Sequence, residues 1–312
     1  MPRDTHTAWS RVTMEAVGVL GATSFVGQSL LARLHAADVQ GSERRVFAFS
    51  RSARLAAATN SPDGVHWRTL STDHGGWHES IPHWITACPL WAVPEHFPLL
   101  EASGARRVVA LSSTSRFTKR DSAAASEQSL AARLAAAEDE LIRLARARGI
   151  LATIFRPTMI YDGIHDRNVT AIAGFIRRFG FFPVAGAAEG LRQPVHADDV
   201  AAACLAALSC TGLRDAYELS GGETLTYRAM VRRIFSWLDR PLRLPSVPLR
   251  LIQAAAPLVG RLPGVASLPA MAARMNEDLV FDHSAAMRDF GFHPRSFALP
   301  LRRDPDHAAG GS

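Results

Sequence analysis

Through the first half of the chain, short runs of β-branched and aromatic residues alternate with longer segments whose apolar positions recur every three to four residues. The short runs predict strands at 14–20 (MEAVGVL), 44–50 (RRVFAFS), 65–70 (VHWRTL), 84–90 (WITACPL), 106–113 (RRVVALSS) and 150–157 (ILATIFRP). Helical patterns fall between most of them. The clearest is SEQSLAARLAAAEDELIRLARARG at 126–149, where Ser126 is placed to cap the amino end and Gly149 to stop the carboxyl end. This alternation predicts stacked βαβ units and hence an α/β, Rossmann-type doubly wound parallel sheet, to which a further strand at 216–220 returns. After residue 165 the pattern breaks up in GFIRRFGFFPVAG and in the proline-punctuated RPLRLPSVPLRLIQ. The resulting expectation is a dinucleotide-binding domain over 14–164, with 191–220 returning to it. A small, mostly helical carboxyl-terminal substrate subdomain is expected from 165–190 and 221–303, with disordered tails at 1–13 and 304–312.

Composition narrows the function classes. With 312 residues, 47% hydrophobic and 21% charged, the chain reads as an ordinary globular protein. A net charge of +6 raises nucleic acid as a partner, but the basic residues are scattered singly and in pairs, with no stripe interleaved with aromatics. An arginine-rich surface facing an acidic small molecule is the preferred reading. Cys88, Cys204 and Cys210 show no C-x-x-C spacing, which argues against a disulfide framework or a zinc site and for a cytoplasmic location. The amino terminus has no apolar core of a secretory signal. LRLIQAAAPLVG at 249–260 is short and interrupted by Pro257, so no transmembrane segment is expected; lying on a membrane surface ranks behind an ordinary buried helix. No G-x-S-x-G elbow supports a hydrolase.

The chemistry enters with VGVLGATSFVGQSLLARL, which sets Gly21 and Gly27 between a strand and an amphipathic helix. Glycines there allow a tight turn, and the helix amino terminus offers free N–H groups and partial positive charge to a pyrophosphate. Gly21, Thr23, Ser24, Phe25, Val26 and Gly27 are the candidate cofactor-binding residues of this loop. On these residues the chain resembles the extended and atypical short-chain dehydrogenase/reductase superfamily, in particular the NAD-dependent epimerase/dehydratase family. That family's pattern is G-x-x-G-x-x-G, and here Ser24 replaces the middle glycine. At the end of the second strand, where an NAD site places a carboxylate, this chain has Ser50 and Arg51, with Arg54 following. A guanidinium suits a 2'-phosphate by charge and geometry, so NADP(H) is favoured and NAD(H) stays open.

The resemblance spans residues 15 to 300 and implies catalytic residues that are only partly present. Thr114 matches the family's catalytic serine or threonine after the fifth strand. The Y-x-x-x-K motif, whose tyrosine moves a proton and whose lysine lowers that tyrosine's pKa, falls on Leu130 and Leu134. No tyrosine occurs between Thr114 and Gly149, and the chain contains only Tyr161, Tyr217 and Tyr227. Lys119 is the single lysine. Either Lys119 and Tyr161 substitute for the missing pair at the nicotinamide crevice, or the protein binds a dinucleotide without turnover, as the nucleotide-binding accessory subunit of respiratory complex I does.

Three further matches are implied. Arg156-Pro157 resembles the family's R-P, with Pro157 closing over the nicotinamide; Asn168 resembles the residue offered to a substrate diphosphate; Arg192, in RQPVHADDVAAA, resembles a phosphate clamp. His196, Asp198 and Asp199 are better explained by helix capping than by a metal. The leading expectation is an oxidoreductase of the epimerase or dehydratase type acting on a nucleotide sugar. A non-catalytic NADP(H)-binding scaffold or redox sensor is the rival, and a homodimer is left open.

Overall fold

The computed structural model describes residues 16–38, 45–51, 64–70, 77–252 and 268–300. In chain order it contains β1 (Ala16–Leu20), α1 (Phe25–Asp38), β2 (Arg45–Ser50), β3 (Val65–Thr69), β4 (His83–Thr86), α2 (Phe97–Ala102), β5 (Arg107–Leu111), α3 (Ser115–Thr118), α4 (Ala125–Ala147) and β6 (Leu151–Pro157). There follow β7 (Ile160–Tyr161), α5 (Val169–Phe179), β8 (Val184–Ala185), β9 (Leu191–Arg192), β10 (Val195–His196), α6 (Ala197–Ser209) and β11 (Ala216–Leu219). The chain ends with β12 (Leu225–Thr226), α7 (Tyr227–Trp237), β13 (Ser246–Val247), α8 (Leu268–Arg274) and α9 (Ser284–Phe290).

Seven strands form one parallel sheet in the order β11-β6-β5-β4-β1-β2-β3. Burial on both faces explains why β1, β2 and β5 read as near-continuous apolar runs, whereas β3, at the edge of the sheet, is largely exposed. Alternate residues serve opposite cores. Val17, Val19, Val46, Ala48 and Val109 pack with α1, α6 and α9, whereas Phe47, Phe49, Trp84, Val108 and Ala110 pack with α2 and α4. A third core joins Tyr161 to α5, α7 and Phe297. The fold is therefore the α/β Rossmann-type sheet that the alternating pattern predicts. Among the described residues no helix is long and apolar enough to cross a membrane.

Two boundaries differ from the pattern, each for a local reason. The strand expected over 84–90 ends at Thr86, because Pro89 opens a short 3-10 turn over Leu90–Ala92. Ser126 lies inside α4 and does not cap it: the Glu127 N–H already donates to the Ala124 carbonyl at 2.9 Å, and the helix starts before the serine. Gly149 stops the helix as expected, in the left-handed region at φ +67°.

Candidate functional site

The turn from β1 into α1 lies at the carboxyl edge of the sheet, where open α/β sheets bind ligands. Gly21 has φ +75°, and a Cβ there would lie 2.5 Å from the backbone nitrogen of Cys88. A Cβ on Gly27 would meet the Gly21 carbonyl oxygen at 2.4 Å. Both positions therefore require glycine. Ser24, standing where the resemblance has a glycine, braces the turn: its Oγ accepts the Gly27 N–H at 3.0 Å, and its own N–H donates to Gly21 O at 2.9 Å. A serine at the start of a helix satisfies one of the four N–H groups that helix geometry leaves without a carbonyl. Phe25 and Val26 open α1, where helix geometry leaves the first N–H groups without a helical carbonyl, and Thr23 lies beside them in the turn. Beneath the loop, the Thr86 hydroxyl is fully buried with no hydrogen-bond partner among the described residues, and burial pushes the Cys88 thiol up to about 11, which leaves little thiolate near neutral pH.

At the end of β2 Ser50 is buried and Arg51 is exposed, close enough to Cys88 to act on its thiol; Arg54 lies outside the described residues. At the end of β5 Thr114 is bound to the end of β6: its N–H and its Oγ both donate to the Pro157 carbonyl, at 3.1 and 3.2 Å. The structure thus brings Thr114 and Pro157 together, leaving the lone pairs of the Thr114 hydroxyl free to accept from a ligand.

Lys119 caps the carboxyl end of α3, and its Nζ lies 3.5 Å from Glu127 on α4. Glu127, which the sequence reading missed, is 7% exposed and also accepts from Ser122 Oγ at 2.7 Å and from Arg274. Burial pushes its carboxyl up, but the Arg274 and Ser122 hydrogen bonds and the two nearby cations outweigh that and hold it below its ordinary value. Leu130 is half-buried and Leu134 is buried, so α4 presents hydrocarbon at the two positions where the resemblance places tyrosine and lysine. One turn further on, Glu138 is 1% exposed and accepts from Ser112 Oγ at 2.5 Å, Arg116 at 2.6 Å and Arg156 at 2.6 Å. A cavity of about 500 Å³ beside this carboxylate is lined by Arg116, Arg143, Arg146 and Arg156, each paired with an acidic side chain.

Three expected residues lie apart from this crevice. Tyr161 is fully buried in the third core, edge-on to Phe297 at 4.8 Å and to His196 at 5.1 Å, and its hydroxyl accepts from the Ala298 N–H at 3.1 Å. Burial raises its pKa, the opposite of what proton transfer near neutral pH needs. Tyr161 thus faces the third core. Arg192 is 7% exposed, and its guanidinium donates to the carbonyls of Leu191 at 2.7 Å, Glu277 at 2.8 Å and Arg274 while lying over the Tyr227 ring. These bonds pin the 274–279 stretch onto β9, in place of an open diphosphate clamp. Asn168 is exposed at the start of α5; the capping there is done by the buried Asp166, whose Oδ1 accepts from the N–H groups of Asn168 and Val169 at 2.9 and 2.6 Å. His196 caps α6, its Nδ1 accepting from the Asp198 N–H at 3.1 Å, and Asp199 pairs with Arg295.

Residues 16–155 match the semialdehyde dehydrogenase NAD binding domain. The matched stretch runs from β1 into β6 of the Rossmann-type sheet. Over 156 residues the chain is 31% identical to the mitochondrial NADH dehydrogenase [ubiquinone] 1 alpha subcomplex subunit 9 of Arabidopsis thaliana, a match covering 46% of this chain and 38% of that protein. The matches cover well under half the length of the first curated relatives. Among solved structures, UDP-glucuronic acid 4-epimerase from Bacillus cereus, in complex with NAD, superimposes with a TM-score of 0.65 at 12% identity, over 89% of this chain and 93% of that one. NADPH-dependent quinone oxidoreductase from Escherichia coli, complexed with NADPH, gives 0.63 at 20% identity, over 90% and 96%. The Rossmann-type domain thus shares its fold with NAD-bound and NADPH-bound oxidoreductase-like proteins, the epimerase and dehydratase class among them.

Proposed function

We propose that the protein holds NADP(H) between the β1–α1 turn and the end of β2, and uses it as a structural or redox-sensing element. The observation that carries this reading is the hydrocarbon at Leu130 and Leu134. Neither side chain can donate a proton or tune a phenol, and the buried Tyr161 does not replace them. A bound nicotinamide supplies hydride transfer. The chain's own residues bind its phosphates through the amino terminus of α1, with Gly21 and Gly27 keeping the approach clear. The exposed Arg51 supports the 2'-phosphate and therefore NADP(H) over NAD(H).

A second reading is hydride exchange of the epimerase or dehydratase type on a nucleotide sugar. The Thr114–Pro157 contact favours it, because it presents a hydroxyl acceptor at the sheet's carboxyl edge. In that case Thr114 orients a sugar hydroxyl and Lys119, released from Glu127, assists the proton.

The test begins with the purified chain. Absorbance and mass spectrometry reveal any carried dinucleotide, calorimetry compares NADPH with NADH, and a panel of nucleotide sugars is assayed for a change in nicotinamide signal. NADPH binding without turnover, with Arg51→Asp shifting preference toward NADH, is the expected result. Absence of binding to either dinucleotide removes the proposal, and turnover lost in Thr114→Ala replaces it with the second reading.

A further inference from the structure

The amino-terminal residues of α5 and its buried face belong to the third core, but its carboxyl end carries a different surface. Phe175, Phe179, Phe181 and Phe182 cluster there, with ring centroids 4.6 Å apart for Phe175–Phe179, 5.7 Å for Phe175–Phe181 and 5.6 Å for Phe175–Phe182. Phe179 is 51% exposed and Phe181 is 38% exposed. Leu242, 47% exposed, adjoins them, because the carbonyl of the next residue, Arg243, accepts the Phe182 N–H at 3.0 Å.

Cations frame this knob. Arg177, Arg178, Arg240 and Arg243 are exposed, and among the described residues none of them forms an ion pair with a carboxylate. Arg177 lies over Trp237 at 5.4 Å, and Arg178 over Phe179 at 5.4 Å. Between residues 167 and 188 the sequence has no acidic residue, and between 224 and 276 Asp239 is the single one.

We infer that this knob docks the protein on an anionic phospholipid surface. Exposed aromatic rings ringed by arginines match the layering of a membrane interface, with apolar groups at the acyl boundary and guanidinium groups among lipid phosphates. Four exposed arginines against the one exposed carboxylate of Asp239 leave the local charge net positive, which complements the anionic headgroups. Because the phenylalanine rings pack on one another, they form one apolar patch and not separate platforms for stacking bases. The docking is peripheral and independent of whether a dinucleotide is bound.

Sedimentation of the full chain with phosphatidylcholine vesicles, with and without phosphatidylglycerol, tests this. Binding is expected only to the phosphatidylglycerol vesicles and is expected to fall as salt rises. Each surface cation contributes roughly fivefold to such binding, so Arg177→Glu with Arg178→Glu weakens it by at least roughly 25-fold. Phe179→Ser with Phe181→Ser weakens it by at least about tenfold. Circular dichroism melts confirm folding of both double variants; should the phenylalanine pair misfold, the arginine pair, confined to exposed side chains, still decides. Failure to bind phosphatidylglycerol vesicles, equal binding to both vesicle types, or affinity unchanged in the folded variants overturns the inference. So does a dimer in light scattering that the phenylalanine pair dissociates, which would make a second copy the occupant of the surface.

Discussion

Replacing Gly21 by alanine tests the cofactor turn most directly. The left-handed φ of +75° costs a residue with a side chain about 1–2 kcal/mol. The added methyl would lie 2.5 Å from Cys88 N and 2.7 Å from Ala87 C, both backbone atoms that cannot swing aside, and overpacking of this kind costs about 1–3 kcal/mol. The lower entropy of the unfolded chain offsets about 0.4–1 kcal/mol. The net loss is about 1–5 kcal/mol. Gly149→Ala is the internal control, because φ is +67° and a Cβ there meets nothing within 4 Å, leaving only the conformational part, about 1.6 kcal/mol or less after the same offset. Urea unfolding of the two variants beside the parent, followed by circular dichroism, isolates the clash as the difference between them, about 1–3 kcal/mol. Equal stability of the two variants would refute the claim that the turn is packed against the end of β4.

Arg192→Met leaves three carbonyls without their charged donor and is expected to destabilise the fold by about 1–3 kcal/mol, with proteolysis of the 274–279 stretch appearing first in limited digestion. Tyr161→Phe removes the acceptor of the Ala298 N–H and is expected to lower stability by about 1–2 kcal/mol while leaving NADPH affinity, measured by calorimetry, unchanged. Glu127 is held below its ordinary carboxylate value in the folded state, so its contribution is complete above about pH 4.3 and is lost as the pH falls through the folded value. Glu127→Gln is therefore expected to flatten the acid limb of a stability-versus-pH curve below about pH 4.3, and an unchanged limb would remove the carboxylate from that role.

The sheet was legible because strands buried on both faces must be apolar almost throughout, and β1, β2, β5 and β6 are. The glycine turn was legible for a related reason: close backbone approach leaves a residue type, and not only a pattern, in the sequence. Ser24 showed where the motif departs, but the cap it makes depends on the Gly27 N–H and on the start of α1. Long-range partners left no trace. Glu127 meets Arg274 across 147 positions, and nothing in the residues flanking either one foretells it. Arg192 has the same letters whether its fork meets a phosphate or three carbonyls; only the return of residues 274–279 decides between them. Tyr161 likewise sits at the right place along the chain and turns into a core that the local sequence does not announce.

The hydroxyl of Ser24 gives the turn a shape of its own before any visitor arrives. A loop already frozen surrenders little freedom when a phosphate settles on it, so association should proceed without a slow ordering step and with little rearrangement of the surrounding backbone. An all-glycine version of the same turn would have to be organised by its guest.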